Sequence, residues 1–184
     1  MNLESLYEEL SRETAIVSYS PGYRFDDFDC GIDDYNDFLS KDAPGQIKQN
    51  VVQVKLLINT HNADIVGYMA LCSDSFNLDP NEKERMGLST PVNTVPALKI
   101  GKLAVCQQYT GKRYGSLMLY LVTAYVEKLN DIGVGCRFLV VDADVQNNPG
   151  VEAFYVKNGF VDNEKVNRTR TITKSMRYDV FAGA

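Results

Sequence analysis

The segment from Leu103 to Met118, LAVCQQYTGKRYGSLM, constrains the fold more than any other part of the chain. It reads as an apolar strand, a glycine-bearing turn and the opening of a helix. Tyr114, Leu117, Met118, Leu121, Tyr125 and Leu129 recur at three- and four-residue steps, so the spacing predicts an amphipathic helix whose start is fixed by packing. A helix that opens beside a strand end points its first backbone N–H groups at whatever lies in front of it, and glycine lets a large anion approach that backbone. The turn from Thr110 to Ser116 is therefore a candidate phosphate cradle. Gly111 and Gly115 alone would equally suit a plain strand-to-helix connection. The chain carries no GxxxxGKS or GxxxxGKT loop, and Arg113 stands where a dinucleotide GxGxxG needs glycine.

A second apolar run, Phe138 to Ala143, leads into Asn147-Asn148-Pro149-Gly150 and then Val151 to Phe160. Asn148 suits an N-cap, Pro149 the first helical position and Gly159 the residue past the helix end, which predicts a short helix carrying Tyr155. Upstream, Leu3, Leu6, Tyr7 and Leu10 predict an N-terminal helix, Thr14 to Tyr19 an extended piece, and Ile32, Tyr35, Phe38 and Leu39 another helix. Val51 to Ile58 and Ile65 to Cys72 read as a hairpin around His61-Asn62-Ala63-Asp64. Ser73 to Asn93 reads as a loop or irregular helix, Thr94 to Val105 as a strand, and Thr171 to Val180 as the last strand.

On these residues the chain resembles the GNAT superfamily of acetyl-CoA-dependent N-acetyltransferases, from about Tyr23 to about Asp179. In that family an LAV-like strand end precedes a loop holding the CoA pyrophosphate. A later segment of the form N-x-x-A-x-x-x-Y-x-x-x-G-F brings a tyrosine near the thioester. Here the loop is Thr110 to Gly115 and the later segment is Asn148 to Phe160, with Val151 at the alanine position. The resemblance implies an α/β fold, a mixed and mostly antiparallel central sheet flanked by helices and splayed at the CoA site. It implies a single domain over residues 1–184 with a short N-terminal extension. Acetyl-CoA is the implied cosubstrate, held by Leu103, Ala104, Val105, Thr110, Gly111, Lys112, Arg113, Tyr114, Gly115, Ser116 and Asn148, with Tyr155 as general acid and no metal. Family habit implies a homodimer.

Four positions depart from the pattern. Thr110 replaces glutamine or arginine, and Arg113 replaces a small residue, where its side chain would either crowd the backbone or add a phosphate contact. Lys102 lies near a position where many relatives carry a glutamate base, and Cys106 stands where aspartate is common. No acidic base is assigned. A narrower resemblance, carried by Phe28-Asp29-Cys30-Gly31, Tyr35 to Leu39, Val66-Gly67-Tyr68 and Pro96-Ala97-Leu98, is to toxin acetyltransferases of toxin-antitoxin modules, which acetylate aminoacyl-tRNA.

Three functions follow. The first is acetylation of a primary amine of a small molecule, peptide or protein by direct attack. The second is a toxin acetylating aminoacyl-tRNA, with tRNA and an antitoxin as partners. The third is a CoA-binding regulatory or interaction module without turnover. The net charge of −5 weighs against general nucleic-acid binding and favours a cationic or neutral amine. Asp26, Asp27, Asp29, Asp33, Asp34, Asp37 and Asp42 crowd the N-terminal part, whereas Lys165, Arg168 and Arg170 would have to serve a tRNA. Asp142 would orient an amine or a water, or bind backbone at its strand end. Cys30, Cys72, Cys106 and Cys136 form no CxxC pair and are expected reduced, which leaves a ping-pong role for Cys106 without an activating base. His61 is the sole histidine, so neither a zinc site nor a Ser-His-Asp site is expected. The absence of a long apolar run and the acidic start at Glu4, Glu8 and Glu9 predict a cytoplasmic protein with no membrane partner.

Overall fold

The computed structural model describes residues 3–89, 91, 93–164 and 172–182. Its elements in chain order are α1 (Leu3–Glu13), β1 (Thr14–Ser18), α2 (Asp33–Asp37), α3 (Ala43–Lys48), β2 (Gln53–Asn59) and β3 (Ile65–Asn77). They continue with α4 (Pro80–Arg85), β4 (Thr94–Val105), α5 (Tyr114–Asp131), β5 (Phe138–Ala143), α6 (Val151–Lys157), β6 (Val161–Asp162) and β7 (Lys174–Asp179). The strands form a seven-stranded sheet in the order β1-β2-β3-β4-β5-β7-β6. The β1–β2, β2–β3, β5–β7 and β6–β7 pairs are antiparallel. The β4–β5 pair is parallel, from Ala97 opposite Phe138 to Ile100 opposite Val141, and β4 itself runs on to Val105. A parallel pair cannot be joined by a tight turn, and α5 supplies the crossover. This is the mixed, mostly antiparallel sheet with helices that the sequence implies.

The chain packs as two compact units, one from residues 1–72 with 101–121 and one from residues 73–100 with 122–184. In the first, Phe28, Phe38, Leu39, Val54, Leu56, Tyr68, Ala104 and Cys106 share one apolar cluster. Gly67 on β3 is required there: a Cβ would sit 2.6 Å from the Ala104 carbonyl oxygen and 2.9 Å from the Met118 methyl. In the second, Leu78, Val95, Ala97, Phe138 and Val140 pack together, with Phe76 edge-on to Phe138 at 5.1 Å.

Three stretches differ from the sequence reading. The segment from Ser73 is no loop, because β3 continues to Asn77 and alternates exposed Ser73, Ser75 and Asn77 with half-buried Asp74 and Phe76. Small polar residues on one face hid that alternation. The capping box of Asp79 with Glu82 then opens α4, with Pro80 in its first turn. The helix begun at Asp33 extends to Lys48 through a wider π turn at Phe38–Asp42, since Pro44 has no N–H to continue an α-helical ladder. Finally, α6 starts at Val151 with Gly150 as its N-cap, so Asn148 and Pro149 lie in the preceding turn. Gly159 follows the helix end as expected, at φ +85. Thr171 lies outside the described residues; the last strand is seen from Lys174.

Candidate functional site

The first unit holds the strand-turn-helix. Leu103 and Val105 at the end of β4 are half-buried and Ala104 is buried. The chain then makes a single 3-10 turn at Gln107–Tyr109, closed by the Thr110 hydroxyl donating to the Gln107 carbonyl at 2.8 Å. Gly111 at φ +76 and Arg113 at φ +66 both adopt the left-handed conformation before α5 begins at Tyr114. The first ladder bond of α5 runs from Leu117 N–H to the Arg113 carbonyl at 3.0 Å. Among the described residues, the backbone N–H groups of Gly111, Lys112, Arg113, Tyr114, Gly115 and Ser116 have no backbone acceptor. Consecutive unpaired amides around left-handed residues make an anion-binding concavity. Lys112 and Arg113 are exposed on it and add positive charge. The cradle therefore fits a diphosphate such as that of acetyl-CoA.

Gly115 lies inside the first turn of α5, so it contributes a bare surface under the amides rather than unusual backbone freedom. Arg113 is different, because an L-residue held left-handed costs about 1–2 kcal/mol. Arg113→Gly is expected to raise stability by about 1 kcal/mol, offset in part by glycine's greater unfolded-state entropy. Thermal unfolding of the two proteins checks this.

Two neighbours hold the cradle in place. Tyr7 of α1 stacks on Tyr120 of α5 at 5.0 Å and hydrogen-bonds the Ser116 side chain. Burial pushes the Tyr7 phenol pKa up, and the charge of Arg113 opposes the shift. On the other side, the Asp29 carbonyl accepts from Gln107 N–H at 2.8 Å. The Asp29 carboxylate takes the Gly31 N–H at 2.7 Å and the Asn36 amide at 2.9 Å, while Asn36 Oδ1 accepts from Cys30 N–H at 3.0 Å. The Gly31 and Asn36 bonds hold the Asp29 carboxyl below its ordinary pKa. The Phe28-Asp29-Cys30-Gly31 run is thus a clamp on the segment leading to the cradle. Its signal was legible as an Asp two residues before a glycine, the pattern of an Asx-turn.

The second unit holds the other named residues. Tyr155 on α6 is buried and lies edge-on to Phe154 and Phe160, each at 5.1 Å. Phe160 in turn meets Tyr178 of β7 at 5.6 Å. Asn148 is exposed, and its side-chain oxygen accepts from Gly150 N–H at 3.1 Å. Asp142 neither stands free nor binds backbone with its side chain. It pairs with Lys99 at 2.6 Å, which also reaches Asp74 at 3.6 Å.

Cys106 is buried in the apolar cluster, a poor place for an attacking thiolate. All four cysteines are free, and burial pushes the Cys30 and Cys136 thiols up. Among the described residues no group of three or more His, Cys, Asp or Glu is arranged to hold a metal, and no helix is long and apolar enough to cross a membrane. Lys165, Arg168 and Arg170 lie outside the described residues.

The seven-stranded mixed sheet, with β4 leading through a glycine turn into α5, is an acetyltransferase fold. The model of the acetyltransferase (GNAT) family matches residues 4–160. The chain belongs to this family and is an acetyl-CoA-dependent N-acetyltransferase. Among solved structures it is similar to AtaT complexed with acetyl-methionyl-tRNAfMet, with TM-score 0.76 and 21% identity over 91% of this chain and 95% of that one. A tyrosine-to-phenylalanine mutant of KacT gives TM-score 0.75 and 21% identity over the same shares. AtaTR bound with AcCoA gives 0.72 and 20% over 92% and 95%. A search of curated proteins returns no match.

Proposed function

We propose that the chain transfers the acetyl group of acetyl-CoA to the α-amino group of an aminoacyl-tRNA. The amides from Gly111 to Ser116, with Lys112 and Arg113, receive the CoA pyrophosphate. The backbone of Leu103, Ala104 and Val105 aligns the pantetheine arm. The neutral amine attacks the thioester carbonyl carbon, the carbon–sulfur bond breaks, and the Tyr155 phenol gives its proton to the departing thiolate. The amine's own surplus proton leaves to solvent.

The row of unpartnered amides at the start of α5 carries the acetyl-CoA part of this reading. The acceptor is supported by the likeness to AtaT complexed with acetyl-methionyl-tRNAfMet across nine-tenths of both chains. A related structure of AtaT, bound to the C-terminus of the antitoxin AtaR and acetyl-CoA, supports an antitoxin as partner. A second reading, a small cationic or neutral amine, is favoured by the acidic balance and by exposed Asp26, Asp27, Asp33 and Asp34.

Thiol release from acetyl-CoA with charged tRNA, polyamines and peptides as acceptors decides between them. With tRNA, kcat/KM is expected to fall steeply with salt, with a log–log slope near 0.9 times the number of phosphates neutralised on a duplex. Changing both Arg168 and Arg170 to Glu should remove tRNA turnover. Faster acetylation of a polyamine than of charged tRNA would install the second reading, and binding without turnover of any acceptor would leave a CoA-binding module. Arg113→Gly, which is expected to stabilise the fold, should weaken acetyl-CoA binding about tenfold if the guanidinium contacts phosphate.

A further inference from the structure

Lys102 lies on β4 directly before the Leu103–Val105 run and is half-buried. Its ammonium stands 4.2 Å from the centroid of the Tyr35 ring and 5.3 Å from that of Phe38. Phe38 is buried in the apolar cluster and Tyr35 packs against it, while the Tyr68 hydroxyl donates to the Tyr35 backbone carbonyl at 2.9 Å.

Among the described residues, no carboxylate lies within ion-pair distance of Lys102. Two other lysines of β4 and β7 are placed differently. Lys99 and Lys174, also half-buried, each engage two carboxylates: Asp74 and Asp142 for one, Glu152 and Asp162 for the other. Carboxylates are close at hand on α2, but Asp37 pairs with Lys41 at 2.8 Å, and Asp33 and Asp34 are exposed in the first turn. Two rings stabilise a cation without neutralising it, and they keep water from one side of it, so its field on a nearby ligand is stronger than that of a solvated lysine.

We infer that Lys102 is the specificity-determining residue of the acceptor site, where its uncompensated charge beside Tyr35 and Phe38 recognises the acyl oxygen of an α-amino acyl acceptor and rejects acceptors with a second cation. The inference rests on the proposal that Leu103 to Val105 align the thioester arm, which puts the neighbouring side chain on β4 beside the acceptor. A diamine would bring an ammonium against Lys102. An amino acid or its ester brings an acyl oxygen instead, three bonds from the reacting nitrogen.

Calorimetric binding of reaction products to the CoA-saturated protein tests this without turnover. The probes are N-acetylglycine, its methyl ester and N-acetylputrescine. The wild type should bind either glycine product more tightly than N-acetylputrescine, the ester leading if the acceptor is esterified and the acid leading if it is a free amino acid. Lys102→Met should weaken the glycine products about tenfold, the worth of one charge-assisted hydrogen bond, and leave N-acetylputrescine unchanged. Lys102→Glu should reverse the order, and Lys102→Arg should keep it. Unchanged acetyl-CoA affinity reports an intact fold in each variant. The same ranking in all four proteins, tightest wild-type binding of N-acetylputrescine, or no binding of either glycine product overturns the role of Lys102. Failure of the wild type to acetylate any amine would instead remove the transfer reading, while the product ranking would still judge Lys102.

Discussion

Tyr155→Phe is expected to lower kcat by about 10²-fold or more, within the usual worth of a positioned general acid, while acetyl-CoA affinity stays at the wild-type value. The ordinary pKa of a thiol, about 8.5, lies below that of a phenol, about 10, so proton transfer from the phenol to the thiolate is mildly uphill and positioning can offset it. Phenylalanine keeps the edge-on contacts with Phe154 and Phe160, so the packing of α6 survives. Stability should therefore change by less than about 1.5 kcal/mol, the size of one neutral hydrogen bond. Stopped-flow measurement of thiol release, beside a denaturation curve, separates the two effects. Wild-type turnover in Tyr155→Phe would reduce Tyr155 to a core aromatic.

The second large effect is on stability. Glu82 of α4 and Arg177 of β7 form an ion pair with both side chains nearly excluded from solvent, 2% and 9% exposed. Arg177 also donates to the Asp162 carbonyl at 2.6 Å and to Asn163 Oδ1 at 3.1 Å. Glu82 accepts from Asp79 N–H at 3.2 Å, so one carboxylate caps its own helix and binds the guanidinium. Glu82→Ala leaves a buried guanidinium without its counter-charge, and its Nε already lacks a hydrogen-bond partner among the described residues. The expected loss is about 3–5 kcal/mol, a large part of the 5–15 kcal/mol typical of a whole domain. Urea unfolding should show it. The double variant Glu82→Leu, Arg177→Met should recover most of the loss, because the cost lies in the orphaned charge and not in the absence of the pair. A Glu82→Ala protein within 1 kcal/mol of wild type would mean that water reaches Arg177.

Glu82 illustrates what the chain order conceals. Its capping box is local and written in Asp79-Pro80-Asn81-Glu82, yet the prolines and polar residues around it read as a loop or irregular helix. Its partner Arg177 is 95 residues away, and no local pattern announces the pairing. The same holds for Asp142, whose strand was legible but whose binding by Lys99 depends on the parallel register of β4 and β5.

Periodicity and turn chemistry act over a few residues, and the sequence alone determined whatever depends on them. The helix from Tyr114, the hairpin of β2 and β3, the left-handed Gly159 and the glycine turn that leads from β4 into α5 are of this kind. Only the tertiary structure decided which polar groups are already engaged. It assigned Asp29 and Asn36 to a clamp, moved the α6 cap from Asn148 to Gly150, buried Cys106 and, among the described residues, left Lys102 without a carboxylate. The physical reason is that a charged or polar side chain acquires its meaning from what faces it across the packed chain. Those partners are set by long-range register and burial, which a local pattern does not carry.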